Sequence, residues 1–231
     1  MKRKTKQTCV NNNCHPIRPQ ATLSKLKRWF QDPNKPIQSC NLKSCKDCSL
    51  STQLDCHFNM QELVVFYLII MPVFTLGAYI IFKFNWLILI AWFIYMIAFF
   101  GFIEIRVMCS HCPHYGQKGT STLKCWANYG APKLWKYRPG PINWIEKTIF
   151  ILGFIILFSF PIIPAILLKS YLLLGIYLIL LVVWKWLLKK NYCRHCNNFA
   201  CPFNKTDRKL KNQFLNQNPS IKKAWKKTTL K

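Results

Sequence analysis

LVVFYLIIMPVFTLGAYIIFKFNWLILIAWFIYMIAFFGFI, residues 63–103, holds a single charged side chain, Lys83, along its whole length. It divides into two apolar blocks, Leu63–Phe82 and Phe84–Ile103. As helices rising about 1.5 Å per residue, each spans roughly 30 Å, the thickness of a bilayer's hydrocarbon core. A second pair, Thr148–Leu168 and Ser170–Leu188, repeats the arrangement around Lys169. The hydrophobic content of 52% is thus gathered in four long blocks, not spread at helical or strand period. That distribution argues for four transmembrane helices and against one soluble core. Each pair must turn back within a few residues, so each is a tight hairpin.

Working outward, the flanks of the two hairpins match. Cys109-Ser110-His111-Cys112 follows the first and Cys193-Arg194-His195-Cys196 the second, 84 residues apart (109 to 193). The same offset links Asn59-Met60-Gln61-Glu62 to Asn143-Trp144-Ile145-Glu146, ahead of the first and third blocks. The repeated unit is therefore a hairpin with its cysteine tail. Both copies cross in the same direction, so the expected bundle is a parallel repeat about a pseudo-twofold axis along the membrane normal. Asn59 and Asn143 each precede a glutamate by three residues, the spacing of a helix capping box.

The chain carries 33 Lys and Arg against 7 Asp and Glu, a net charge of +26. Nearly all the basic residues lie in the N-terminal segment, in the loop from Arg106 to Lys147, and in the C-terminal tail. This asymmetry predicts that both termini and the central loop are cytoplasmic, at an inner or plasma membrane. Residues 1–61 hold no apolar core of signal-peptide length, so the first helix is expected to direct insertion. Basic flanks bind anionic lipid headgroups, which accounts for the charge without nucleic acid; no aromatic-interleaved nucleic-acid module is present.

All 12 cysteines fall in these cytoplasmic segments, where reduced thiols or metal ligands are expected in place of disulfides. Cys40, Cys45, Cys48 and Cys56 form one compact group before the first helix. Cys109, Cys112 and Cys125 lie in the central loop, and Cys193, Cys196 and Cys201 follow the fourth helix. A Cys-x-x-Cys pair presents two thiolates to one ion, and two pairs complete a tetrahedral site. Cys109, Cys112, Cys193 and Cys196 could make one centre between the repeats. Alternatively each repeat builds its own from three cysteines, with His111, His114 or His195 as a fourth ligand or the fourth position open for a substrate. Cys9, Cys14 and His15 form a further, looser C-x4-C-H group.

Cys40-x4-Cys45-x2-Cys48 resembles the spacing of plant-type ferredoxins, which implies an iron–sulfur cluster as the competitor to zinc. In those proteins the fourth cysteine lies much further along than Cys56 does here.

The expected organisation is a basic disordered arm (1–39) with a short interfacial helix over Thr22–Phe30, and a cysteine-rich segment (40–61). Hairpin one (62–104), a cysteine-rich loop (105–142), hairpin two (143–190), a cysteine-rich segment (191–204) and a basic tail (205–231) follow. The tail is expected to be disordered or lipid-associated, and Trp135 and Tyr137 to sit in an interfacial aromatic belt. Glu104 is expected to snorkel from the inner end of helix two. The fold class is an all-α integral membrane protein: four transmembrane helices in two duplicated hairpins beneath a metal-stapled cap. The function expected is a docking module stabilised by zinc or an iron–sulfur cluster. The alternative is a membrane-anchored electron-transfer protein serving a cytoplasmic redox partner. A thiol oxidoreductase or a lipid-headgroup enzyme is less favoured, and the near absence of polar groups at mid-depth disfavours transport.

Overall fold

The computed structural model describes residues 7–10, 13–16, 29–46 and 48–229, with backbone alone for 7–10, 13–16 and the last two of these. Four helical stretches are long and apolar enough to cross a membrane: Met60–Phe84, Trp86–His111, Trp144–Leu167 and Tyr171–Cys193. The first is helix α1 (Met60–Phe84). The second runs through α2 (Trp86–Ala98), a π-helical turn (Phe99–Ile103), α3 (Glu104–Val107) and a 3₁₀ turn (Cys109–His111). The third comprises α4 (Trp144–Ser159) and α5 (Ile162–Leu167), and the fourth α6 (Tyr171–Leu188) with a second π-helical turn (Lys189–Cys193).

The ends of these helices follow from short polar side chains. Asn59 accepts from the Glu62 N–H at 2.9 Å, and Asn143 from the Glu146 N–H at 2.8 Å. Only the second is a complete capping box, with the Asn143 N–H donating to the Glu146 carboxylate at 3.3 Å. Asn85 closes α1 and opens α2, its side chain accepting from Leu87 and Ile88 N–H, so the first connector is one residue long. The second connector turns at Lys169, whose φ of +52° places it in the left-handed region.

Pro161 breaks the third span. It has no N–H for the Leu157 carbonyl four residues back, which in hydrocarbon would be left unpaired. The indole Nε1–H of Trp92 on α2 takes that carbonyl at 3.1 Å. Tyr177 Oη on α6 donates to the next carbonyl, Phe158 O, at 2.9 Å. α1 packs on α2, α5 and α6, while α2 and α3 pack on α4, so the two helical pairs interlock. Phe154 and Phe158 stack on Trp184, with centroids 5.8 and 4.7 Å apart.

Among the described residues, the segments before the first span, between the second and third, and after the fourth meet at one end of the bundle as a cap. Ile37, Leu50 and Leu54 bury themselves with Phe214, Leu215 and Ile221 of α7 (Arg208–Gln217) and α8 (Pro219–Thr229). The tail, expected to be disordered or lipid-associated, is thus helical and packed. Its apolar residues Leu210, Phe214, Leu215, Ile221 and Trp225 pack inward from two short helices, with Lys211 lying over the Trp225 ring. Asn218 joins them: its Nδ2 donates to Phe214 O, and its Oδ1 accepts from Ser39 Oγ, both at 2.7 Å. Residues 29–39 also belong to the cap, with Ile37 in its core and Trp29 bridged to Asn59. The interfacial helix expected over Thr22–Phe30 lies outside the described residues except for Trp29 and Phe30. In the arm, an antiparallel hairpin of β1 (Gln7–Val10) and β2 (Asn13–Pro16) sets Cys9 opposite Cys14.

Candidate metal centre

Cys40, Cys45, Cys48 and Cys56 surround one cavity of about 20 Å³, closed on its far side by Phe214 and Gln217. A run of tight turns builds it: Cys48 N–H donates to Cys45 O at 3.3 Å, and Ser51 holds Cys48 O through both its N–H and its hydroxyl. The Cys48 thiol points at Gln217 Oε1, 3.8 Å away. The space exceeds what one water molecule needs. Burial, and then the neighbouring Cys48, Cys45, Asp55 and Cys40, push the Cys56 thiol far above its ordinary range. Burial likewise raises Cys45, with Cys48 and Cys40 adding to it.

The second assembly lies where the second and fourth spans enter the cap. Cys112 is within electrostatic reach of Cys125 and Cys201, and Cys196 of Cys112 and Cys201. Cys109 reaches Cys125, Cys112 and Cys201, and Cys193 flanks Cys201. The structure therefore brings together cysteines of both repeats, with Cys125 and Cys201 beside the two tetrads. Each tetrad is reached through a π-helical turn, a deformation that re-aims side chains and recurs at functional sites.

Backbone N–H groups lie close to these sulfurs. The amides of His114 and Tyr115 lie near Cys112, those of Ala127 and Asn128 near Cys125, and those of Phe203 and Asn204 near Cys201, but the Tyr115 and Asn204 N–H groups donate to the carbonyls of Cys112 and Cys201 at 2.9 and 3.0 Å. Cys196 receives Asn198 N–H at 3.4 Å. Asn128 serves two thiols: its N–H donates to Cys125 Sγ and its Nδ2 to Cys109 Sγ, each at 3.3 Å. Such donors stabilise a thiolate over a thiol. Burial is nevertheless the larger effect and pushes Cys112 and Cys201 up to about 12 and Cys125 up to about 11.

Two residues of this assembly differ from expectation. Glu104 does not snorkel; it is 6% exposed, and its carboxyl lies within electrostatic reach of Cys125 and Cys201. Asn128 donates to it, while Oε2 has no hydrogen-bond partner among the described residues. Tyr137 turns inward from the interface, with its ring against Gly116 and its hydroxyl buried near Cys112.

The histidine rings hold backbone carbonyls. His111 Nδ1 contacts Gly140 O at 3.1 Å and its Nε2 lies 3.4 Å from Glu146, while His195 Nδ1 contacts Gln53 O at 2.9 Å. His57 holds Lys35 O at 2.7 Å and His114 holds Asp55 O at 2.9 Å. Burial keeps His114 down at about 4, so its ring is neutral at pH 7. Glu146, on the cap side of α4, also receives Arg138 at 2.6 Å and Arg106 at 3.6 Å.

Among the described residues, no three His, Cys, Asp or Glu side chains are already drawn tightly enough together to hold a metal ion. No protein family, characterised protein or solved structure matches the chain. What the arrangement offers chemically is therefore read from the donors themselves: buried soft thiols supplied with N–H groups that favour their ionised form.

The raised thiols have a pH consequence. A thiol whose folded pKa exceeds its ordinary 9.0 contributes stability that is complete below pH 9 and is lost as the pH rises through the folded value. Metal-free protein is therefore expected to lose its cap between about pH 9 and 12, seen as a drop in far-UV circular dichroism. Metal-loaded protein, whose thiolates are already ionised, should hold to higher pH. Coincident transitions in the two forms would contradict this account.

Proposed function

We propose that the chain is a membrane-anchored iron–sulfur protein that passes electrons through a cytoplasmic cap. Two duplicated hairpins, arranged about a pseudo-twofold axis, anchor it in an inner or plasma membrane with both termini cytoplasmic, as the basic flanks suggest. Cys40, Cys45, Cys48 and Cys56 would hold one cluster. Cys109, Cys112, Cys125 and Cys201 would hold another, with Cys193 and Cys196 beside it. Bound clusters supply reversible one-electron chemistry, and N–H bonds to their sulfurs tune its potential.

The observation that carries this reading is the set of N–H donors on the clustered sulfurs: Asn128 donates through its backbone N–H to Cys125 and through Nδ2 to Cys109, and Asn198 N–H donates to Cys196. Such donors favour a metal-bound thiolate over a thiol. The cavity among the first four cysteines leaves room for a metal centre between them.

The competing reading is a zinc-stapled docking module, supported by the small apolar cluster that holds the cap. Metal and acid-labile sulfide analysis with an absorption spectrum, on full-length protein extracted anaerobically in detergent, separates the two. Iron with matching sulfide and a broad visible band is expected. Colourless protein with one or two zinc ions makes the cap a docking module, and protein free of metal defeats both readings.

A further inference from the structure

The two thiol groups are joined through the backbone of Asp55. Asp55, adjacent to Cys56, donates its N–H to His195 O at 2.8 Å, and its C=O accepts from His114 Nε2 at 2.9 Å. His195 adjoins Cys196, and His114 lies two residues beyond Cys112. The Asp55 carboxyl is within electrostatic reach of both Cys56 and Cys196. With Cα atoms 3.8 Å apart along the chain and about 6 Å across one backbone hydrogen bond, the Cα atoms of Cys56 and Cys196 stand at most about 14 Å apart. A second staple, His195 Nδ1 to Gln53 O at 2.9 Å, fixes the same two segments together.

The two groups differ in depth. Both groups hold half-buried cysteines, but Cys40 and Cys48 lie in loops that carry the exposed Lys43 and Lys46. The other assembly lies over the ends of the second and fourth spans. Resting on the iron–sulfur reading above, we propose that the Cys40–Cys56 group is an entry centre that exchanges one electron with the inner Cys109–Cys201 group across the Asp55 backbone. In each transfer the outer centre is oxidised by one electron and the inner centre reduced by one; a soluble one-electron donor reduces the outer centre, and no proton or bond changes hands. Asp55, His114 and His195 act as positioning residues that set the distance between the centres.

The test uses full-length protein in detergent, loaded with iron and sulfide and reduced with dithionite, read by electron paramagnetic resonance and by iron and sulfide per chain. Full reduction is expected to give split or broadened signals from two interacting spins. Cys56→Ser should halve the iron and leave one unsplit signal; Cys48→Ser serves as the second variant if the first fails to fold. Two centres' worth of iron and sulfide with unsplit signals overturns the relay while leaving the iron–sulfur reading intact. Iron and sulfide for a single centre overturns the two-centre reading and the relay with it, and zinc or no metal overturns the underlying function.

Discussion

Replacing Cys112 with serine is expected to strip metal from the inner assembly and to unfold the cap around it, whereas Cys56→Ser should cost only the outer centre. Cys112 lies near Cys125, Cys196 and Cys201, and its carbonyl accepts from Tyr115 N–H at 2.9 Å. The same short loop supplies His114 to Asp55 and packs Tyr137 on Gly116, so a slack ligand here loosens the joint between the central loop and the N-terminal segment. Metal binding to thiolates contributes on the order of 10 kcal/mol to folding where the site is absent from the unfolded chain. That exceeds what the cap's small apolar cluster can replace. The outer group leans on that cluster directly, with Phe214 closing its cavity, and so retains packing when a ligand is lost. Limited proteolysis of the cap and iron per chain check the contrast. Equal protease resistance in wild type and Cys112→Ser would show that the inner thiols staple nothing.

The four spans were legible because runs of about 20 apolar residues have few other uses, and the caps at Asn59 and Asn143 because a side chain three residues from a glutamate acts locally. The grouping of Cys40, Cys45, Cys48 and Cys56 around one cavity also follows from closeness along the chain. Glu104 was misplaced for a geometric reason. The π-helical turn at Phe99–Ile103 widens the helix just before it and changes the face on which it emerges, and no apolar period announces such a turn. Asn128 was invisible because its value lies in bridging Cys109 and Cys125, 16 residues apart (109 to 125), through a fold that spacing cannot supply. The tail was misread because its lysines dominate the composition while only five apolar positions, Leu210, Phe214, Leu215, Ile221 and Trp225, carry its packing. The pairing of Trp92 with the carbonyl that Pro161 frees is equally long-range, and only the need for some partner was foreseeable.

Gly153→Ala is expected to be the most damaging substitution among the spans. A Cβ there would run into Cε2 of Phe99 and lie 2.7 Å from its Cδ2, closer than real side chains approach. Phe99 has nowhere to go: it is 0% exposed, between Tyr95 and Phe150, with ring centroids 6.2 and 6.1 Å away. The helices cannot easily part either, because Tyr95 Oη donates to Gly153 O at 3.1 Å and Trp92 to Leu157 O at 3.1 Å. Overpacking of this kind costs about 1–3 kcal/mol, and more where the ring is trapped. Gly175→Ala offers the contrast, since nothing lies within 4 Å of its Cβ. There alanine's better helix propensity should leave stability unchanged or raise it by up to about 1 kcal/mol. Tryptophan fluorescence during denaturation from detergent micelles measures both. Shortening the ring in Gly153→Ala/Phe99→Leu should recover part of the loss, and no recovery would show that the strain lies elsewhere. Because Phe99 opens the π-helical turn that carries Glu104 to the thiols, the single variant should also lower iron retention. That result would tie the packing of the bundle to the chemistry of the cap.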